Sequence, residues 1–268
     1  MASVGAVLAR PRQQPVDLHR LLLRRPELPA TVVVGLAWLV LLALAIRGWY
    51  AGGDSMVGIA GPAGMAGMAG SAGPAGSWWS AVSDGLPYTL VMAVAMMGPA
   101  ALGGVRHTGV NSLRWRRGRA MTEFALAYLA VWLAYQLLVL AVVPVLPAVP
   151  GRGALCLVLA ASAAWQFTPY KRRWLRDCHL SVPLPPSGWR AERAAMTFGL
   201  RNGLSCLGSC WCLMLVMAVA PAGYLLWSVA LSGLITTERL LQRPRRATRL
   251  AAVALGVAAI WTFTLGLA

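Results

Sequence analysis

The chain has 268 residues, of which 58% are hydrophobic and 12% are charged, with a mean hydropathy of +0.64 and a formal net charge of +16. An ordinary soluble domain is about one quarter charged, so this composition excludes that class and indicates a membrane protein. The 24 Lys and Arg residues lie between apolar runs. That distribution is typical of membrane loops, and the absence of a basic–aromatic patch argues against nucleic-acid binding.

The first 29 residues are polar and carry five arginines ahead of the first apolar run. This segment is too long and too polar to be a simple cleavable signal peptide. We therefore predict a basic cytoplasmic tail over residues 1–29 and one transmembrane domain over residues 30–268.

The remainder of the chain contains seven apolar runs, several of them close to the length of about 20 residues that crosses a bilayer. The runs are about Ala30–Ile46, Trp79–Val105, Ala120–Leu146, Gly153–Tyr170, Leu204–Ala220, Tyr224–Thr237 and Leu250–Leu267. They predict an all-α, polytopic bundle of about seven transmembrane helices.

The distribution of basic residues predicts the orientation of this bundle. With the N-terminus in the cytoplasm, every Lys and Arg except Arg47 and Arg152 falls on the inner side. Such an asymmetry is the usual signal of membrane orientation. We therefore expect a bacterial inner-membrane protein with a cytoplasmic N-terminus and an extracytoplasmic C-terminus.

The segment between the first two spans, residues 50–77, has low complexity. Residues 58–76 repeat glycine at every third position, which is the period of collagen, but the repeat is too short for a triple helix and predicts a flexible tether. Three methionines, Met56, Met65 and Met68, lie in this predicted outer loop, where they could capture a soft metal ion.

Sulfur-bearing residues recur in two of the predicted spans. Cys206 and Cys210 are four residues apart and share one face of a helix, and Met214 and Met217 continue that face. Soft sulfur ligands with few carboxylates nearby suit Cu(I) better than Mg²⁺ or Ca²⁺. The sequence therefore predicts copper as the bound metal.

The second span carries a similar stripe formed by Met92, Met96 and Met97. If the two stripes meet, they form a site lined by sulfur alone. Cysteine and methionine are also common packing residues between helices, so core packing stays open as the alternative for both stripes.

Cys178 lies in the basic segment between the fourth and fifth predicted spans, where it can approach Cys206 from the inner side. The neighbouring cations are expected to lower its thiol pKa, which would suit a ligand that exchanges metal with the cytosolic side. A loop cysteine without a functional role is the favoured alternative for Cys178. Glu238, at the inner end of the sixth span, is expected to form a structural ion pair with Lys171 or Arg201.

Four segments together resemble the DUF2182 family of predicted metal-binding integral membrane proteins. They are Met92–Pro99, Thr168–Lys171 with Cys178 after it, Gly203–Met214, and Thr237–Arg239. The resemblance implies a metal-linked membrane role without naming a reaction. The chain departs from the family pattern at Ser209, where a cysteine is expected beside Cys210, while Cys212 is an additional cysteine beyond Trp211. It also departs at Trp174, where a cysteine is expected four residues before Cys178.

Three functions are compatible with these patterns. The first is Cu(I) handling by a membrane chaperone or transfer protein, with the lipid bilayer and a copper-dependent membrane or periplasmic protein as candidate partners. The second is a membrane scaffold or accessory subunit of a larger complex with no metal role. A thiol-redox enzyme ranks last, because the cysteine spacings differ from Cys-x-x-Cys. No catalytic motif is present, so a non-enzymatic role is favoured, and the oligomeric state is not predicted.

Overall fold

The computed structural model describes residues 25–50, 78–142, 151–180, 182–219, 224–240 and 244–265. All regular secondary structure in these ranges is helical, which confirms the predicted all-α class. The helices are α1 Leu28–Tyr50, α2 Trp78–Asn111, α3 Arg117–Val142, α4 Gly151–Phe167, α5 Pro169–Asp177, α6 Trp189–Val219, α7 Tyr224–Leu240 and α8 Pro244–Leu265. Residues 1–24 of the predicted tail and the loop residues Met56, Met65 and Met68 lie outside the described residues.

Four of the described helices are long and apolar enough to cross a membrane. These segments are Leu28–Ile46 in α1, Leu90–Asn111 in α2, Arg117–Val139 in α3 and Trp189–Met217 in α6. Helices α4 and α8 contribute shorter apolar segments. The structure thus supports a membrane protein, while the count of seven spans and the orientation stay predictions.

The predicted loop between the fourth and fifth spans is largely helical. Thr168 caps α5 by accepting a hydrogen bond from the backbone N of Lys171 at 3.3 Å, and Pro169 occupies the first turn, as is usual at helix starts. Helix α6 has 31 residues and begins at Trp189, so the predicted start at Leu204 was wrong. The polar residue Asn202 does not interrupt this helix, because its side chain is buried and hydrogen-bonded to Arg239.

Helices α3 and α6 approach each other closely through two glycines spaced four residues apart. A Cβ atom at Gly199 would clash with the carbonyl oxygen of Phe124, and one at Gly203 would lie 3.0 Å from the side chain of Val131. Small residues at this spacing let transmembrane helices pack backbone to backbone. The contact also brings Tyr128 of α3 beside Cys206, which lies about one turn after Gly203 on α6.

One buried cluster unites the interior of the bundle, drawing on α2, α3, α4, α6, α7 and α8. Its largest side chains include Phe124, Tyr128 and Trp132 of α3, each at most 1% exposed. By contrast, Leu36 on α1 and Ile260 on α8 are more than half exposed. Apolar side chains on the outside of such helices are suited to contact with lipid.

Candidate metal site

Seven of the eight predicted metal ligands lie in this one buried cluster. They are Met92, Met96 and Met97 of α2, and Cys206, Cys210, Met214 and Met217 of α6. Each is at most 6% exposed. The two sulfur-bearing faces therefore belong to the same water-excluded core, and metal ligation by these residues stays a prediction.

Cys206 has the largest number of polar contacts among these residues. The hydroxyl of Tyr128 donates to Cys206 Sγ at 3.0 Å and also lies 3.4 Å from the carbonyl oxygen of Met97. Cys210 lies one helical turn further along α6, with its Sγ 2.9 Å from the carbonyl oxygen of Cys206, and the two thiols interact electrostatically. Two soft ligands are therefore adjacent without any rearrangement of the helix.

Ser209, where the family resemblance predicts a cysteine, contributes no further sulfur. Its hydroxyl donates to the carbonyl oxygen of Cys206 at 2.8 Å, and the residue is buried. Serine commonly satisfies its hydroxyl in this way within a helix. The substitution therefore leaves Cys206 and Cys210 as the thiol pair of this turn.

Trp174, the second departure from the family pattern, packs on the same turn from α5. A Cβ atom at Gly208 would lie 2.6 Å from the Trp174 indole ring. The ring thus covers the stretch of α6 between Cys206 and Cys210, and only a residue without a side chain allows so close an approach. A large apolar group stands where the resemblance predicts a third thiol.

A buried ion pair fixes α5 to α7 near the thiols. Lys171 Nζ lies 2.7 Å from Glu238 Oε2, and the two side chains are 0% and 3% exposed. The expected pairing of Glu238 with Lys171 is confirmed, whereas Arg201, the other candidate, is exposed. Buried ion pairs of this kind are costly to break, because either partner alone is an uncompensated charge.

Arg239 connects the thiols at the two ends of the site. The residue is 8% exposed; its guanidinium donates to the carbonyl oxygen of Ala100 and, through Nη2, to Asn202 Oδ1 at 3.1 Å. It also interacts electrostatically with Cys206 and Cys178. No carboxylate pairs with it in the described ranges. Sequence reasoning counted Arg239 only as a loop cation, although its place in the segment Thr237–Arg239 was a signal.

Cys178, the eighth predicted ligand, lies at the C-terminal end of α5 and is half-buried. Burial raises the pKa of the Cys178 thiol, with Arg239 opposing that effect, so the expected lowering was wrong. The physical reason is that Arg172 and Arg173 are exposed to solvent, leaving one nearby guanidinium against the cost of dehydrating a thiolate. For His179, by contrast, burial and the positive charge of Arg239 act in the same direction, and both lower the pKa of its side chain.

The four segments that carry the family resemblance converge on this region. Met97 and Cys206 share contacts with Tyr128, Lys171 pairs with Glu238, and Arg239 interacts electrostatically with Cys178. Within the described residues, no group of three or more His, Cys, Asp or Glu side chains is arranged to hold a metal ion. The candidate is therefore a two-thiol site with thioethers in the same core.

Comparison with known proteins adds one finding. Residues 89–262 match the model of the PpoB2 family, which is described as a copper chaperone. This region contains all eight predicted metal ligands. No curated protein and no solved structure matches the chain. The match confirms the expectation that the chain belongs to a metal-linked family, and its assignment to DUF2182 stays a prediction.

Proposed function

This chain belongs to the PpoB2 family of copper chaperones, and we propose that it binds one Cu(I) ion inside its helical bundle and transfers it to a partner protein. Copper is the cargo of this function. The partner would be a copper-dependent membrane or periplasmic protein, and the chaperone would lie in the inner membrane with a cytoplasmic N-terminus.

The placement of the buried Cys206 and Cys210 one turn apart on α6 carries the proposal, because Cys210 Sγ lies only 2.9 Å from the carbonyl oxygen of Cys206. Thiolates are the ligands that Cu(I) prefers, and two of them suffice for two-coordinate binding. Thioethers of Met96 and Met97 lie in the same core and could supply neutral additional ligands.

Charge balance also supports a two-thiolate site. Cu(I) with two thiolates carries one negative charge, which is costly in a medium of low dielectric constant. Arg239 supplies one buried positive charge that acts on Cys206 and has no carboxylate partner among the described residues. The copper-loaded site with Arg239 would therefore be neutral overall.

Within this proposal, the remaining sulfur residues form a transfer route. Met56, Met65 and Met68 would capture copper outside, and Met92, Met96, Met97, Met214 and Met217 would line the path to and around the cysteine pair. Cys178 would exchange copper at the other end. The proximity of Cys178 and Cys206 to the same guanidinium supports this last step.

Copper stoichiometry in purified protein tests the central site. We expect about one Cu(I) per chain in the wild type and none bound tightly in Cys206→Ser/Cys210→Ser. The matched control is Cys156→Ser on α4, whose thiol contacts the carbonyl oxygen of Ala259 at 3.5 Å and which should keep wild-type stoichiometry. Unchanged copper content in the double variant would sink the proposal.

The scaffold alternative is favoured by one specific observation, the nearly complete burial of the same Cys and Met side chains, which is also what core packing produces. The two functions differ in what copper removal does. A copper-free preparation that stays folded and still co-purifies with a partner complex, combined with no copper uptake, would favour the scaffold.

A further inference from the structure

A cavity of about 320 Å³ lies beside the candidate metal site, between α2, α5, α6 and α7. Its polar lining includes His107, Cys178, His179, Asn202 and Arg239, and none of the described Asp and Glu residues lines it. The volume is in the range of sites that hold small molecules, roughly 300–1,000 Å³. The cavity is therefore large enough for a small ligand and contains a guanidinium group with no carboxylate among the described residues that line it.

The charge of Arg239 indicates the sign of that ligand. Its two described hydrogen-bond acceptors, the Ala100 carbonyl and the Asn202 amide, are neutral, and its Nε atom is buried without a hydrogen-bond partner. A buried cation without an anionic partner is unfavourable. Arginine presents donors in a fork that matches a carboxylate, so the cavity is complementary to a small carboxylate.

Cys178 adds the second recognition element. Cys178 lines the same cavity as Arg239 and interacts electrostatically with it, so a ligand whose carboxylate reaches the guanidinium is held close to this thiol. Cu(I) outside a protein is best held by thiolate sulfur. A ligand that exchanges copper with Cys178 therefore needs a thiol as well as a carboxylate.

We propose that this cavity binds a small carboxylate-bearing thiol that carries Cu(I), with Arg239 holding the carboxylate and Cys178 exchanging copper with the carrier sulfur. The copper step rests on the proposed function, whereas recognition of the carboxylate does not. The exchange is a ligand substitution without electron transfer. The bond between copper and the carrier sulfur breaks, a bond between copper and Cys178 Sγ forms, and the Cys178 proton moves to the carrier sulfur.

Arg239 also couples the cavity to the core site. When copper reaches Cys206 and Cys210, the anionic copper thiolate takes the guanidinium as its counter-charge. The carrier carboxylate then loses its partner, and the carrier is released. Copper loading of the core therefore weakens anion binding in the cavity.

Alkylation of Cys178 in copper-free protein tests the anion site without any copper chemistry. Iodoacetate and iodoacetamide have nearly the same size and differ in charge, and peptide mass spectrometry reports Cys178 separately from the other cysteines. We expect the ratio of the iodoacetate rate to the iodoacetamide rate to be about tenfold higher in native protein than in urea, as one charge-assisted hydrogen bond provides. The iodoacetate rate should also saturate with concentration.

Two controls separate the cavity from the general positive charge of the protein. In a Cys178→Ser background, Ser187→Cys places a thiol on the exposed segment before α6, and its ratio should stay near that of the unfolded chain. Arg239→Gln should remove the preference at Cys178, and Arg239→Lys should retain part of it. Equal ratios for native and unfolded wild type would overturn the proposal.

A competition experiment needs no variant and covers the case in which Arg239 substitutions fail to fold. The thioether carboxylate (methylthio)acetate should protect wild-type Cys178 from iodoacetamide. 2-(Methylthio)ethanol, which has a hydroxyl in place of the carboxylate, should not. Equal protection by the two compounds, or none by either, would contradict carboxylate recognition.

The copper step has its own readout. Copper should load faster from Cu(I)–mercaptoacetate than from Cu(I)–2-mercaptoethanol, and copper-loaded protein should lose its iodoacetate preference. An iodoacetate preference together with equal loading rates would overturn the carrier role. An iodoacetate preference in a protein that takes up no copper from either complex would refute the proposed function and the carrier role while leaving the anion site in place.

Discussion

The two ends of the candidate route contain the same functional group in opposite surroundings. Cys206 is fully buried, with a tyrosine hydroxyl and a second thiol as neighbours. Cys178 is half-buried at the end of a short helix and lines the cavity that also contains Arg239. The first environment suits retention of a soft ion, because water and competing ligands are excluded. The second suits exchange, because a small molecule can reach the sulfur.

Arg239 is the residue that the two ends share, and this arrangement explains why a single buried cation can serve both. It interacts electrostatically with both Cys178 and Cys206. A fixed charge between a storage thiol and an exchange thiol stabilises whichever of them is anionic. Variants in the core, or in the short helix α5 that ends at Cys178, therefore test the contrast between the two ends.

The largest expected effect comes from breaking the ion pair that anchors α5. Lys171→Ala leaves Glu238 buried without its partner, and we expect a loss of about 3–5 kcal/mol of stability, measured by thermal or denaturant unfolding in detergent. The double variant Lys171→Met/Glu238→Leu removes both charges and should recover most of this loss. A double variant as unstable as Lys171→Ala would show that the charges themselves are not responsible.

A smaller loss is expected where Trp174 packs on α6. Gly208→Ala places a methyl group 2.6 Å from the indole ring, and we expect destabilisation of about 1–3 kcal/mol by overpacking. Gly233→Ala is the matched control, because a Cβ there meets nothing within 4 Å. Adding Trp174→Leu to Gly208→Ala should recover part of the stability and raise the alkylation rate of Cys210. No change in either quantity would contradict the close contact.

The sequence was informative about the long apolar helices and less so about the segments between them. Apolar runs predicted the positions of α1 to α4, α7 and α8, because a long continuous apolar segment indicates a helix buried in a bilayer or a bundle. Helix α5 was missed because its nine residues are mostly charged or aromatic, and the start of α6 was missed because Arg201 and Asn202 resemble an interruption. Both polar segments become helical through tertiary contacts, and these are absent from local patterns.

The candidate metal site was also predicted from the sequence only in part. Helical spacing predicted the shared face of Cys206 and Cys210, but no pattern pointed to Tyr128, which is 78 residues away in the chain. That contact depends on how closely α3 and α6 cross. The resemblance indicated that Trp174 replaces a cysteine, and only the fold shows that its ring covers the turn that carries the thiol pair.

Tyr128→Phe probes the core end with a modest effect. The variant removes the hydroxyl that donates to Cys206 Sγ, and a hydrogen bond to a charged group contributes about 1.5–3 kcal/mol, so Cu(I) affinity should fall about tenfold or more in competition with a chelator. Tyr135→Phe is the matched control, because that hydroxyl donates its described hydrogen bond to the carbonyl oxygen of Trp211 at 2.9 Å and not to a thiol. Equal losses of affinity in the two variants would mean that the effect is structural.

The smallest expected effect concerns the pKa of the Cys178 thiol. Burial disfavours the charged thiolate of Cys178 and so raises its pKa, whereas an unperturbed cysteine has a pKa of about 8.5. Because the thiolate is the reactive form, alkylation of Cys178 by neutral iodoacetamide should rise at a higher pH than alkylation of the same cysteine in urea. The pH profile should move further up in Arg239→Gln, since Arg239 opposes the effect of burial. If alkylation of native Cys178 rises at the same pH as in urea, or at a lower pH, its thiolate is hydrated in the folded protein. Cys178 and Cys206 would then differ only in how easily a reagent reaches the sulfur.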